Sequence, residues 1–175
     1  GSGGVMGEVA GEGREWEARV EEVGVRVGAG GREIVWLCSD TTGRPKSEGV
    51  ERIRAYSDRV REHANHNDPD VGYLRVSCAD KLHNASAILA DVARTRLAIF
   101  ELFSAPTVEH TLGYYHDLAD QFRRYRGGDT GMRRLAAELD ATVHELHTAV
   151  ATVYVAWHAA LVTLDVGVDT STAGG

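Results

Sequence analysis

Residues 70–94 read DVGYLRVSCADKLHNASAILADVAR. Within them Val71, Leu74, Cys78, Leu82, Ala85, Leu89 and Val92 recur at steps of three and four, the period of one helical face. The spacing predicts a helix from about Asp70 to Arg94. At roughly 100° per residue, Asp80 falls about 200° from Cys78, opposite the apolar stripe. Tyr73, Val76, Asn84 and Ala87 share its side, and so does Asp91 about three turns on. The neighbours of Asp80 are mostly small or apolar, so a helix covered on both sides and an at least partly buried carboxylate are expected. A buried carboxylate must be neutralised, hydrogen-bonded, ion-paired or bound to a metal. Two readings stand: an ion pair with an Arg or Lys of a neighbouring helix, or a metal or substrate role.

Working outward, the same period recurs. Residues 14–27 space Trp16, Val20 and Val23 on one face, and a glycine cluster at 28–31 ends that helix. A short apolar helix, REIVWLC at 32–38, is broken by SDTTGRP. Pro45 suits the first turn of a long polar helix over 46–64, closed by the turn formers of NHNDPD. After RLAIFELFS comes a break near Pro106, a helix over 108–126, and the loop GGDTG. A last helix over 130–164 carries Met132, Leu135, Leu139, Val143, Leu146, Val150, Val153 and Trp157. No strand alternation of any length occurs. The expected fold is all-α, a single helical domain over 14–165, with flexible segments at 1–13 and 166–175.

Composition narrows the function. The 175 residues are 43% hydrophobic with a formal net charge of −7, a globular composition without the clustered Lys and Arg of a nucleic-acid surface. The start is glycine-rich and lacks the basic and apolar regions of a signal peptide. Cys38 and Cys78 are far apart and outside any CxxC spacing, which suits two free thiols in a reducing cytoplasm. Residues 148–164 are apolar apart from Thr, Tyr and His158, but the run stops at Asp165, short of the roughly 20 residues a spanning helix needs. They are read as a core or oligomer helix, with no membrane partner. No P-loop, GxSxG or dinucleotide fingerprint is present.

CADKLHNASAIL at 78–89 resembles the closing motif of the HD-superfamily metal-dependent phosphohydrolases, most of all the guanosine polyphosphate hydrolases and their small single-domain relatives. ADKLHN at 79–84 is the most specific part. GREIVWLCSDTTGRPK at 31–46 and GYYHDLADQFR at 113–123 extend the similarity over roughly residues 15–125. The resemblance implies an HD-like helical bundle and one divalent ion, manganese or magnesium, held by a first His, a His-Asp pair and a final Asp. Asp80 matches that final Asp, and Lys81 and Asn84 would lie near a nucleotide or phosphorylated small molecule. Such an ion lowers the pKa of a bound water and clamps phosphate oxygens. The family's threonine one turn further on is Ala87 here.

The upstream ligands are not found. His63 and His66 precede Asp80, but neither is followed by Asp, and the family's early helices would have ended about where this chain begins. A fragment, a degenerate relative and one half of a composite site are the three readings, and the metal follows only if the site is completed. His116-Asp117 is an HD dipeptide on the wrong side of Asp80. Asp140, His144 and His147 share one helical face at i, i+4 and i+7, a spacing that suits either zinc or an ordinary solvated face. The alternative function is a non-catalytic helical module for binding or homo-oligomerisation through the long C-terminal helix, whose last turns are apolar nearly all round.

Overall fold

The structure, a computed structural model, describes residues 49–65, 71–102 and 107–168, together with helical positions scattered between 18 and 38. Among the described residues every regular element is helical: α1 (Gly49–Asn65), α2 (Gly72–Thr95), a 3₁₀ segment (Arg96–Leu102), α3 (Val108–Arg123) and α4 (Thr130–Val168). Among the described residues no helix is long and apolar enough to cross a membrane. The segment expected as a tail begins inside α4, which runs to Val168; residues 1–13 and 169–175 lie outside the described residues, as do Trp16, Trp36 and His66.

Local chemistry sets the boundaries. Thr107 caps α3 from an extended conformation (φ −149°, ψ 166°), its hydroxyl accepting the His110 N–H at 3.3 Å. The helix closes in a tightened turn, Tyr125 N–H donating to the Phe122 carbonyl at 3.2 Å. Asp129 caps α4, accepting the Met132 N–H at 2.6 Å. At the end of α2, Arg96 takes φ 55°, a left-handed conformation uncommon for a residue with a side chain, and the chain tightens into the 3₁₀ segment. Gly28, first of the cluster at 28–31, has φ 79°.

Helix α2 lies mainly against α4, and α3 packs against α4 and α1. The predicted stripe on α2 is the inner face: Leu74, Cys78, Ala85 and Val92 are buried, and Val71, Leu82 and Leu89 pack at its margin. Met132, Leu139, Val143, Leu146 and Val150 face it from α4. Each such aliphatic side chain contributes roughly 1.5–3 kcal/mol by leaving water, which is what holds a helix of this length in place. The core is wider than one stripe. Tyr73, Ser77 and Ile88 are buried on α2 as well, met by Tyr56, Val60 and Ala64 of α1 and by Leu118 and Phe122 of α3. Tyr115 is buried and meets the half-buried Tyr114 edge-on at 5.3 Å.

The seam ends before α4 does. Thirty-nine residues span about 58 Å at 1.5 Å per residue. Past Val153, Tyr154, Val155 and Trp157 are 39%, 70% and 60% exposed.

Candidate functional site

The ADKLHN helix turn sits where α1, α2 and the Cys38 segment meet. Asp80 and Asn84 are one turn apart, and the Asn84 Nδ2 donates to Asp80 Oδ2 at 3.3 Å. Lys81 brings its Nζ to 3.0 Å from the same oxygen. The three side chains expected from the sequence thus form one bonded set. The burial expected of Asp80 is not found: 51% of its side chain is exposed, against 13% for Lys81. Lys81 takes the inward position instead, its ammonium 4.7 Å from the centre of the Tyr56 ring. The aromatic face stabilises the cation while the carboxylate beside it stays in water.

Beneath this set runs a buried polar chain. Tyr56, fully buried, donates to Ser77 Oγ at 3.0 Å, and the Cys38 thiol lies 3.5 Å from the same oxygen. Arg59 stands over the Tyr56 ring at 5.7 Å. Burial pushes the Tyr56 and Tyr73 hydroxyls and the Cys38 thiol above their ordinary values, so all three are neutral near pH 7. Burial, aided by the negative charge of Asp80, raises Tyr115 to about 12. Cys38 and Cys78 are both free thiols.

Protein-family models, curated proteins and solved structures yield no match to this chain.

The donor set can therefore be judged only on its own chemistry. A hard divalent ion needs several oxygen or imidazole donors at fixed distances. Oδ2 of Asp80 is engaged by Lys81 and Asn84, and that ammonium repels a cation at the same corner. Among the described residues no three His, Cys, Asp or Glu side chains converge. These residues do not fit a bound metal. His63 packs its ring 4.7 Å from Tyr73 and points to a structural contact.

The other histidine constellations resolve into separate pairs, with His147 half-buried and its Nε2 away from water. His116 is exposed, with Nδ1 4.0 Å from Asp120, while Asp117 accepts from Ser57 and Gln121. Asp140 pairs with Arg123 at 2.9 Å, His144 is exposed, and His147 turns its ring toward His116 at 6.0 Å. The sequence reading missed Tyr56 and Ser77, which support the candidate set from below. The signal for Ser77 was weak: a small polar residue next to a stripe position is equally common on a solvated face.

Proposed function

We propose that this chain is a helical relative of the HD-type phosphohydrolases that binds a nucleotide or other phosphorylated small molecule beside Asp80, Lys81 and Asn84. The observation that carries this reading is the convergence of those three side chains in one hydrogen-bonded set. They offer complementary chemistry. Lys81 supplies a cation for phosphate, the Asn84 amide donates and accepts, and Asp80 accepts from a sugar hydroxyl or an amino group on a base. The aromatic and hydroxyl layer below holds Lys81 in position before a ligand arrives, which lowers the ordering cost of binding. Hydrolysis by the family's route requires a cation with further ligands, and no hydrolytic step is assigned to the described residues.

Calorimetric titration with guanosine tetraphosphate tests the reading. Lys81→Gln and Asn84→Ala are each expected to weaken binding about tenfold or more, by loss of a charge-assisted hydrogen bond, with helicity retained by circular dichroism. No binding by the native chain, or unchanged affinity in both variants, overturns it.

A second reading rests on a different observation. The exposed Val155 and Trp157 on a helix that outruns its own bundle favour a module that assembles with a second copy.

A further inference from the structure

Toward its far end α4 packs against the 3₁₀ segment that follows α2. A groove of about 510 Å³ opens between them, walled by Arg96 and Leu97 on one side and by Val153, Ala156, Trp157 and Ala160 on the other. The four α4 residues stand at i, i+3, i+4 and i+7, which is one face of the helix. Two of them are alanines, and they leave open the space that larger side chains would fill. Tyr154 completes the wall, its hydroxyl meeting the Glu109 carboxylate. The volume lies within the roughly 300–1,000 Å³ of small-molecule sites.

The groove is apolar except at one end. Among the described residues that line it, Arg96 alone is charged. Its side chain has no hydrogen-bond or ion-pair partner among the described residues, whereas nearby Arg94 is paired with Asp91. Arg96 is also where the backbone departs from ordinary geometry. At φ 55° and ψ −130° it occupies a region that favours glycine, yet it carries a long cationic side chain. Such outliers gather at ligand clamps, where a side chain is held in place at the expense of the backbone. An unpaired guanidinium at the end of an apolar groove complements a ligand with an apolar body and one anionic head.

We infer that this groove binds an aliphatic carboxylate, a free fatty acid whose chain lies along Leu97, Val153 and the alanine face and whose head meets Arg96. The chain leaves water against the apolar wall, and the planar guanidinium matches the two carboxylate oxygens. A second copy of the chain suits the groove less well. Isologous pairing sets the same patch on both sides, so it would bring two Arg96 side chains into one apolar interface with no carboxylate in either wall. The inference rests neither on the Asp80 set nor on assembly through α4. No groove residue belongs to that set, and the exposed Val155 is not part of the wall.

Decanoate, titrated calorimetrically into the full chain below its micelle concentration, is the probe, with decanol as its neutral counterpart. Decanoate is expected to bind about tenfold tighter than decanol or better, the share of a charge-assisted pair. Arg96→Gln should remove that advantage and leave decanol binding unchanged. Ala160→Phe, which fills the groove, should weaken both ligands about tenfold or more with helicity retained by circular dichroism. Arg96→Gly should lose the decanoate advantage while melting no lower than the native chain, because glycine takes this φ without steric cost. An arginine that serves only the fold gives the opposite pair of results, a lower melting temperature with decanoate affinity intact. The inference is overturned by that pair, by absent decanoate binding, by decanol binding as tightly as decanoate, or by a dimer in sedimentation that excludes decanoate from the groove.

Discussion

Tyr56 donates its hydroxyl hydrogen to Ser77 Oγ across 3.0 Å, tying the first helix to the second directly beneath Lys81. Both residues are fully or almost fully buried. Removing Ser77 strands the Tyr56 hydroxyl in a dry site, whereas Ser77 keeps the Cys38 thiol when Tyr56 loses its hydroxyl. Ser77→Ala is therefore expected to lower the unfolding free energy by about 1–3 kcal/mol and Tyr56→Phe by less. The double variant should lose clearly less than the sum, since neither group is then left unsatisfied. Urea denaturation of the three variants checks it, and strict additivity would show that the bond contributes nothing specific.

The two ends of α4 should answer mutation differently. Leu139 and Leu146 are fully buried in the seam with α2, so alanine at either should cost about 2–5 kcal/mol. Trp157, 60% exposed, should cost the isolated chain under about 1 kcal/mol when replaced by alanine. If α4 assembles with a second copy, sedimentation should show a species that dissociates on dilution and disappears in Trp157→Glu. A monomer at all concentrations removes the oligomerisation reading.

Stability should fall on the alkaline side. Burial, with the Glu138 charge adding to it, raises Cys78 from 9.0 to about 12, and Tyr115 rises from 10.0 to about 12. The folded state holds these protons more tightly than the unfolded chain does. The contribution is therefore complete below pH 9 and is lost as pH climbs toward 12. Cys78 alone should remove roughly 1–2 kcal/mol by pH 10. Cys78→Ala is expected to flatten that part of the stability profile, measured by denaturant unfolding at pH 7–10.

Asp129 should act on the acid side. Its hydrogen bond from the Met132 N–H, joined by the Arg75 guanidinium, holds its carboxyl below the ordinary 3.8. Its contribution is present above that value and is lost as pH falls through the lower folded-state pKa. Asp129→Ala removes cap and clamp together and should lower the melting temperature by roughly 2–8 °C at pH 7. The loss should exceed that of Arg75→Ala, which spares the cap, and it should shrink as pH falls below the ordinary 3.8.

The helices were legible because their period was clean. Steps of three and four through Val71, Leu74, Cys78 and Leu82, and through Met132, Leu139, Val143 and Leu146, mark one inner face each, and those faces meet. What periodicity cannot report is how many partners a helix has. Tyr73, Ser77 and Ile88 lie off the stripe and are buried because α1 and α3 cover a second side of α2. The same ambiguity misplaced Asp80. Asp80 lies opposite the stripe, and the second covered side, marked by the Tyr56 ring on another helix, takes its neighbour Lys81 instead. The i, i+4, i+7 face of Asp140, His144 and His147 failed as a metal grip for a similar reason, since Arg123 from α3 claims the carboxylate.

The most direct test of the account is the affinity for guanosine tetraphosphate measured twice, in manganese and in a chelator, with phosphate release followed in both. Binding beside Asp80, Lys81 and Asn84 without a metal predicts dissociation constants that agree within about threefold and no phosphate release in either condition. Binding and turnover that arise only with manganese, and vanish in Asp80→Ala, would contradict it and restore this carboxylate to a metal centre.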